Sequence, residues 1–202
     1  SQVEAYHKPW MAKTGHKLKS VDAPNPSAPI KAQVAAGKVS IDVADVEYSD
    51  AVRFSDEGLL EPIDPKMLPA GSNGAAAMKD FVEGGLTDCG VANIVWSTVF
   101  AYDTSKRTGA KPTTMADFFD TTKFPGKRGM RKGAKANLEM ALMADGVPAS
   151  KVYDILGTPA GVKRAFAKMD SIKKDIVWWE AGAQAPQLLA DGEVAMTTAY
   201  NG

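Results

Sequence analysis

The sequence predicts an α/β fold with a mostly parallel sheet. Segments of strand period and segments of helix period alternate through most of the chain, and at residues 41–57 a strand pattern leads through a short loop directly into a helix pattern. The chain has 202 residues, 45% hydrophobic and 24% charged, enough for one large domain or two small lobes with a real core.

The first 14 residues carry Val3, Tyr6, Trp10 and Met11 on one helical stripe, with Gly15 as the stop and Pro9 as a kink or interruption. Lys17 to Val21 reads as a short strand. Pro24, Pro26 and Pro29 mark an extended turn, followed by a short helix from Ile30 to Ala36 that ends at Gly37. Ile41 to Val46 has the alternation and β-branching of a strand, and a helix over Ser49 to Glu57 closes at Gly58. Leu59 to Pro69, with its three prolines, is an irregular connection. Ala75 to Glu83 forms one more short helix before Gly84, and Val91 to Tyr102 reads as a long apolar strand.

Further on, Thr114 and Asp117 make a capping box at the head of an aromatic helix, Met115 to Phe119. After a Pro125-Gly126 turn come a strand at Arg128 to Arg131 and a helix from Ala134 to Ala144 that stops at Asp145-Gly146. Two helices follow, the second with Thr158 as N-cap and Pro159 at its first position. Ile176 to Trp179 reads as a buried strand, Ala183 to Ala190 as a helix and Val194 to Tyr200 as a strand. Sheets of this kind collect ligands at the carboxyl ends of their strands.

Several function classes fall away on composition. The 24 basic residues balance the 24 acidic ones, so no global field points to nucleic acid or a membrane surface. One cysteine, Cys89, excludes an internal disulfide and any multi-cysteine metal site; His7 and His16 are too far apart for a metal pair on one helical face. No structural metal or cofactor is expected. The longest apolar stretch is broken by Asn93, Ser97 and Thr98 and falls short of the roughly 20 residues of a bilayer span. A histidine-based triad has no support, Cys89 has no histidine near it in sequence, and the glycine groups match neither a P-loop nor a dinucleotide fingerprint.

Three clusters are more informative. From Asp42 to Asp64 there are eight acids against one base, Arg53; from Thr121 to Lys135 there are six bases (Lys123, Lys127, Arg128, Arg131, Lys132 and Lys135) and no acid. These are either solvated faces or, through Glu47 and Arg131 at strand ends, readers of opposite charges on one small molecule. The third cluster joins Trp178, Trp179 and Glu180 at one strand end with Tyr200 and Asn201 at another. Aromatic rings beside a carboxylate suit an organic ammonium group. Strand alternation makes one of the two tryptophans plain core.

Residues Ile41-Asp-Val-Ala-Asp-Val46, Glu57-Gly-Leu-Leu-Glu-Pro-Ile-Asp64, Ile94-Val-Trp-Ser-Thr98, Phe124-Pro-Gly-Lys127, Leu138-Glu-Met-Ala-Leu142 and the tail Leu189 to Gly202 occur in an order that resembles the extracellular solute-binding proteins of ABC importers, specifically the spermidine/putrescine-binding type. The resemblance covers nearly the whole chain. It implies a two-lobed periplasmic-binding-protein-like fold of type II, a first lobe over residues 1–95 and a second over 96–202, hinge closure on ligand, a periplasmic location and a membrane permease as partner. It also places Glu47 and Ser49 in a ligand-contacting loop and Tyr200 where the tail strand offers a ring. After Met130, where polyamine binders place carboxylates, this chain has Arg131, Lys132, Gly133 and Ala136, which suit a carboxylate instead.

The expected function is therefore non-catalytic capture of a small amine-bearing metabolite, a polyamine or a zwitterionic amino or ω-amino acid, for import. Glu47 or Glu180 pairs with the ammonium, Trp179 and Tyr200 stack, Arg131 holds an acidic group and Ser49 contacts the ligand. An effector domain of a transcriptional regulator and an enzyme on the same two-lobed fold are the rival readings. No nucleic-acid partner is expected.

Family members resemble the chain from its first helix onward but carry further segments at both ends. The first lobe is therefore expected to be incomplete, a sheet of about three strands with an open edge. The expectation is either a piece that self-associates through that lobe or part of a longer protein, which intact mass and light scattering separate.

Overall fold

Among the described residues, regular strands are confined to one part of the chain. The computed structural model describes residues 2–21, 23 and 26–201. Contacts divide the chain into two compact units, Ser1–Ile94 and Val95–Gly202.

The N-terminal unit is helical. A π turn over Val3–His7 leads into α1 (Lys8–Thr14). Pro9 has no N–H to give, so it does not break the helix but sits in its first turn, with the wider turn just ahead of it. α2 (Ser27–Ala35) starts earlier than the periodicity indicates and takes Pro29 into its first turn; α3 (Tyr48–Asp56) and the single turn α4 (Ala77–Asp80) follow. The predicted turn residue Pro24 lies outside the described residues. Among the described residues of this unit, Ile30, Phe54 and Ala77 are the buried apolar side chains, whereas Val21, Val39 and Val43 are mostly exposed.

Two expected strands are not formed among the described residues of this unit, and the third lacks its first part. Lys17 to Val21 and Ile41 to Val46 are irregular, and Val91 contributes only an isolated bridge to Leu86. The apolar alternation at Ile41 to Val46 is a real signal, but a strand exists only where a neighbour accepts its hydrogen bonds, and no strand pairs with this segment among the described residues. The three-stranded first-lobe sheet expected from the sequence is corrected accordingly.

The C-terminal unit holds the sheet: β1 (Thr98–Ala101), β2 (Arg128–Arg131), β3 (Ile176–Trp179) and β4 (Met196–Tyr200), in the order β1-β4-β2-β3. β2 runs parallel to both β3 and β4, while β1 is antiparallel to β4. Of the long strand expected from Val91 to Tyr102, the part that forms is β1, paired along its whole length with β4. Thr98 faces Tyr200 in the last regular pair, and beyond it the Asn201 side chain accepts the Ser97 N–H at 2.8 Å.

Helices α5 (Met115–Phe119), α6 (Asn137–Ala144), α7 (Val152–Leu156), α8 (Pro159–Asp170) and α9 (Gln184–Ala190) complete the unit. α5 has its full capping box, and the Lys123 ammonium with the Thr113 and Thr114 donors holds the Asp117 carboxyl well below the usual carboxylate range. Thr158 accepts the Gly161 N–H at 3.0 Å to start α8. α6 packs on α5 and α8, and α9 lies against β4 and β2. Between sheet and helices sits a core in which Phe118, Phe124, Met130, Leu142, Ile172 and Met196 are each 1% exposed or less. Each such side chain contributes about 1.5–3 kcal/mol by leaving water.

Arg128 is as deeply buried as these hydrophobic residues. Its Nε donates to the Phe118 carbonyl at 2.6 Å, its Nη2 to the carbonyls of Phe124 at 2.6 Å and Asp120 at 3.2 Å, and its Nη1 to that of Gly126. Burial lowers its pKa and the nearby Arg107 charge adds to the effect, while Asp175 and Asp120 oppose it. The six bases read as one cluster are therefore not one face: Arg128 is internal, Lys123 pairs with Asp117 at 2.9 Å and Lys132 with Glu180 at 3.1 Å. Replacing Arg128 by Met leaves buried carbonyls without donors, each worth about 1–3 kcal/mol. Urea unfolding of Arg128→Met is expected to show a loss of about 3 kcal/mol or more, with only partial recovery in Arg128→Lys, whose ammonium lacks the planar fork; a loss below about 1 kcal/mol contradicts this role.

Candidate functional site

Parallel pairing brings the carboxyl ends of β2, β3 and β4 to one edge of the sheet, and those strands end at Arg131, Trp179 and Tyr200. Loops leaving such ends are free of the ladder, so their side chains and amides face outward for recognition.

At that edge three rings and a guanidinium meet. The Tyr200 ring lies 5.6 Å from Trp179 at 88° and 4.7 Å from Trp96 at 75°, both edge-to-face. The Arg131 guanidinium carbon is 5.8 Å from the centroid of the Tyr200 ring. Trp179 is 1% exposed and Trp178 47%, so Trp179 is the inward member of the pair that alternation leaves open. The Trp179 indole Nε1 is buried with no hydrogen-bond partner among the described residues. Trp96, which sequence reasoning did not include among the site residues, comes in from the segment ahead of β1, positioned by the Ser97–Asn201 bonds.

The loops are pinned from both sides. The Lys132 N–H donates to the Trp179 carbonyl at 2.8 Å, extending the β2–β3 ladder by one bond. The Asn137 Nδ2 donates to the carbonyls of Arg131 at 2.6 Å and Gly133 at 2.8 Å. On the β3 side, Gln184 Oε1 accepts the N–H groups of Glu180 and Ala181, each at 2.8 Å. Sequence reasoning missed Asn137 and Gln184 because a side chain that serves the backbone carries no motif. The Glu180 carboxylate pairs with Lys132 in an exposed contact of the sort worth little in water, so it can exchange partners at small cost.

The six residues singled out from sequence fall into two sets. Arg131, Trp179, Glu180 and Tyr200 lie together on this edge of the C-terminal unit. Glu47 and Ser49 stand at the head of α3 in the N-terminal unit, Glu47 as the extended N-cap residue and Ser49 exposed in the first turn.

Other candidates are weaker. A cavity of about 490 Å³ opens at the opposite end of the same sheet, lined in part by Lys106, Arg107, Lys123 and Phe124. There Lys106 is spent on the carbonyls of Leu189 and Ala190, and Lys123 on Asp117. His7 Nδ1 shares a 2.9 Å hydrogen bond with the Ser20 hydroxyl on the surface, His16 stacks on Trp10, and Cys89 accepts the Ser55 hydroxyl. Among the described residues no group of three or more His, Cys, Asp or Glu could hold a metal ion, and no helix is long and apolar enough to cross a membrane.

Comparison with known proteins gives a consistent result. A family model described as bacterial extracellular solute-binding protein matches residues 5–202. The chain is 50% identical over 204 residues to the gamma-aminobutyric acid-binding protein of Pseudomonas aeruginosa, covering 100% of this chain and 55% of that protein. Among solved structures it is similar to the PBP MotA from Agrobacterium tumefaciens B6 in complex with glucopine, at 34% identity and TM-score 0.86 over 98% of this chain and 59% of that one. It is also similar to a GABA receptor, at 35% identity and TM-score 0.78 over 99% of this chain and 58% of that one. The fold is thus periplasmic-binding-protein-like, as the sequence predicts, and the chain spans a little over half the length of these relatives.

The ring corner depends on one missing side chain. A β-carbon on Gly182 meets Tyr200 Cδ2 at 3.2 Å and Cε2 at 3.3 Å, closer than ordinary contact. Gly182→Ala is expected to displace the Tyr200 ring and change the near-ultraviolet circular dichroism of the tryptophan–tyrosine cluster, with a stability change within about 1 kcal/mol. An unchanged spectrum contradicts the packing described.

Proposed function

The chain belongs to the bacterial extracellular solute-binding protein family, and from that premise we propose that it serves an ABC importer by capturing a small ω-amino acid of the γ-aminobutyric acid type and handing it to a membrane permease. The family is one of binding proteins, not enzymes, and its location is extracytoplasmic. Its relatives set aside the regulator and enzyme readings. The two compact units are read as the two lobes, or parts of them.

The observation that carries the proposal is the placement of Arg131 beside the Tyr200 ring at the convergent strand ends. A guanidinium offers a carboxylate two parallel donors. The ring gives the ligand's short methylene chain an apolar surface, and its face favours the ammonium. Glu180, released from Lys132, is the proposed ammonium partner in this unit, and Trp179 backs the Tyr200 ring. Glu47 and Ser49 are proposed as further ligand contacts on the strength of the family resemblance. The names of two relatives, a gamma-aminobutyric acid-binding protein and a GABA receptor, support the same ligand class.

A polyamine is the second reading. Glu180 and the rings favour it, but Arg131 and Lys132 on the adjacent loop repel a ligand that carries only positive charge. Titration calorimetry on the whole protein with γ-aminobutyrate, putrescine and spermidine decides between them. Arg131→Ala is expected to weaken γ-aminobutyrate binding by about 1.5–3 kcal/mol, the size of a charged hydrogen bond, and to leave any diamine binding unchanged or slightly improved. Tight spermidine binding with no response to Arg131→Ala overturns the proposal.

A further inference from the structure

The loop that follows β2 carries a backbone conformation its sequence does not favour. Between Arg131 and α6 the chain runs Lys132-Gly133-Ala134-Lys135-Ala136, and Ala136 has φ 65° and ψ −35°. Among the described residues it is the one non-glycine residue with positive φ. In that region the β-carbon of an L-residue crowds its own backbone, so such positions are held by their surroundings rather than by preference. The loop does contain a glycine, Gly133, but it is not where φ is positive, and a β-carbon there meets nothing within 4 Å.

The next residue shows what the reversed turn achieves. Asn137 is 2% exposed, and its Nδ2 reaches back to the Arg131 and Gly133 carbonyls at 2.6 and 2.8 Å. The positive φ at Ala136 swings the start of α6 so that this side chain can bridge its own loop. From the other side the Lys132 N–H is tied to the Trp179 carbonyl at 2.8 Å. The peptide group that follows Arg131 is therefore held at both its carbonyl and its N–H, while the Arg131 guanidinium lies over the Tyr200 ring.

We infer that Ala136 and Asn137 are positioning residues that set specificity for a carboxylate-bearing ligand: the strained turn and the Asn137 clasp hold the Arg131 backbone in the arrangement that presents its guanidinium. This rests on the reading of Arg131 as the carboxylate's partner. Glycine at 136 relieves the strain but releases the loop to other conformations, so binding weakens by the fraction of time the competent arrangement is lost. Stability and affinity then move apart, which a merely structural role does not produce.

The test uses the whole protein with Ala136→Gly, Asn137→Ala and Arg131→Ala. Calorimetry measures γ-aminobutyrate against 4-aminobutanamide, which keeps the ammonium and chain but lacks the carboxylate charge, and thermal unfolding is recorded for each variant. For Ala136→Gly the melting temperature is expected not to fall. The preference for γ-aminobutyrate over its amide is expected to drop roughly tenfold if the competent arrangement is held a tenth of the time, and amide exchange over residues 132–136 to quicken. Asn137→Ala lowers the same preference; if that variant does not fold, Ala136→Gly decides alone. If Arg131→Ala weakens γ-aminobutyrate binding while Ala136→Gly keeps the wild-type preference, or if both ligands weaken together with the melting temperature, the inference is wrong and the reading of Arg131 stands. If Arg131→Ala has no effect, that reading fails and takes the inference with it.

Discussion

The buried guanidinium of Arg128 is the constraint on which the C-terminal unit depends. It collects the carbonyls of Phe118 and Phe124, which are buried away from water, and those of Asp120 and Gly126 at the margin of the core. A charge buried this way is costly, and no carboxylate among the described residues pairs with it directly; four carbonyl dipoles stand in for the lost hydration. A planar group with five donors is suited to gather four acceptors from the segment between the end of α5 and the start of β2. Because Arg128 is also the first residue of β2, the same contact fixes where that strand begins, opposite Ile176 of β3 and Met196 of β4. Gly126, at φ 112° beneath Ala195, lets the turn approach β4 closely.

From that starting point the pleat does the rest. Met130 goes into the core and Arg131 ends the strand beside Trp179. The site is built as a rigid part and an exchangeable part. Trp179, Tyr200 and Trp96 interlock edge to face, and Gly182 leaves room for Tyr200. The charges around them, Lys132 and Glu180, pair at the surface where partners change easily. For the proposed role in ligand capture and release, both matter: a fixed surface that recognises shape, and ionic contacts that a ligand can take over without a large desolvation cost.

What the sequence disclosed follows from whether each signal is local. β2 and β3 are read to the residue, and α5 and α8 begin where Thr114 and Thr158 say they do, because caps, turns and short apolar runs are written within a few positions. Ile41 to Val46 has an equally good local pattern and forms no strand, since pairing needs a neighbour that the segment does not itself encode. Arg128 looks like its basic neighbours in the sequence; only burial separates a structural cation from one that can meet a ligand. Of the candidate site, the members at strand ends were legible because strand ends are where parallel sheets present side chains. Trp96, Asn137 and the turn at Ala136 were not, since an alanine gives no sign of positive φ and an amide that clasps its own loop has no spacing rule.

On the function proposed above, the strand ends of the C-terminal unit read a carboxylate. A crystal structure of the whole protein with γ-aminobutyrate bound tests it most directly. The ligand's carboxylate is expected within hydrogen-bond reach of the Arg131 guanidinium and its methylene chain against the Tyr200 ring. A ligand whose carboxylate is bound elsewhere, with Arg131 turned away, contradicts it.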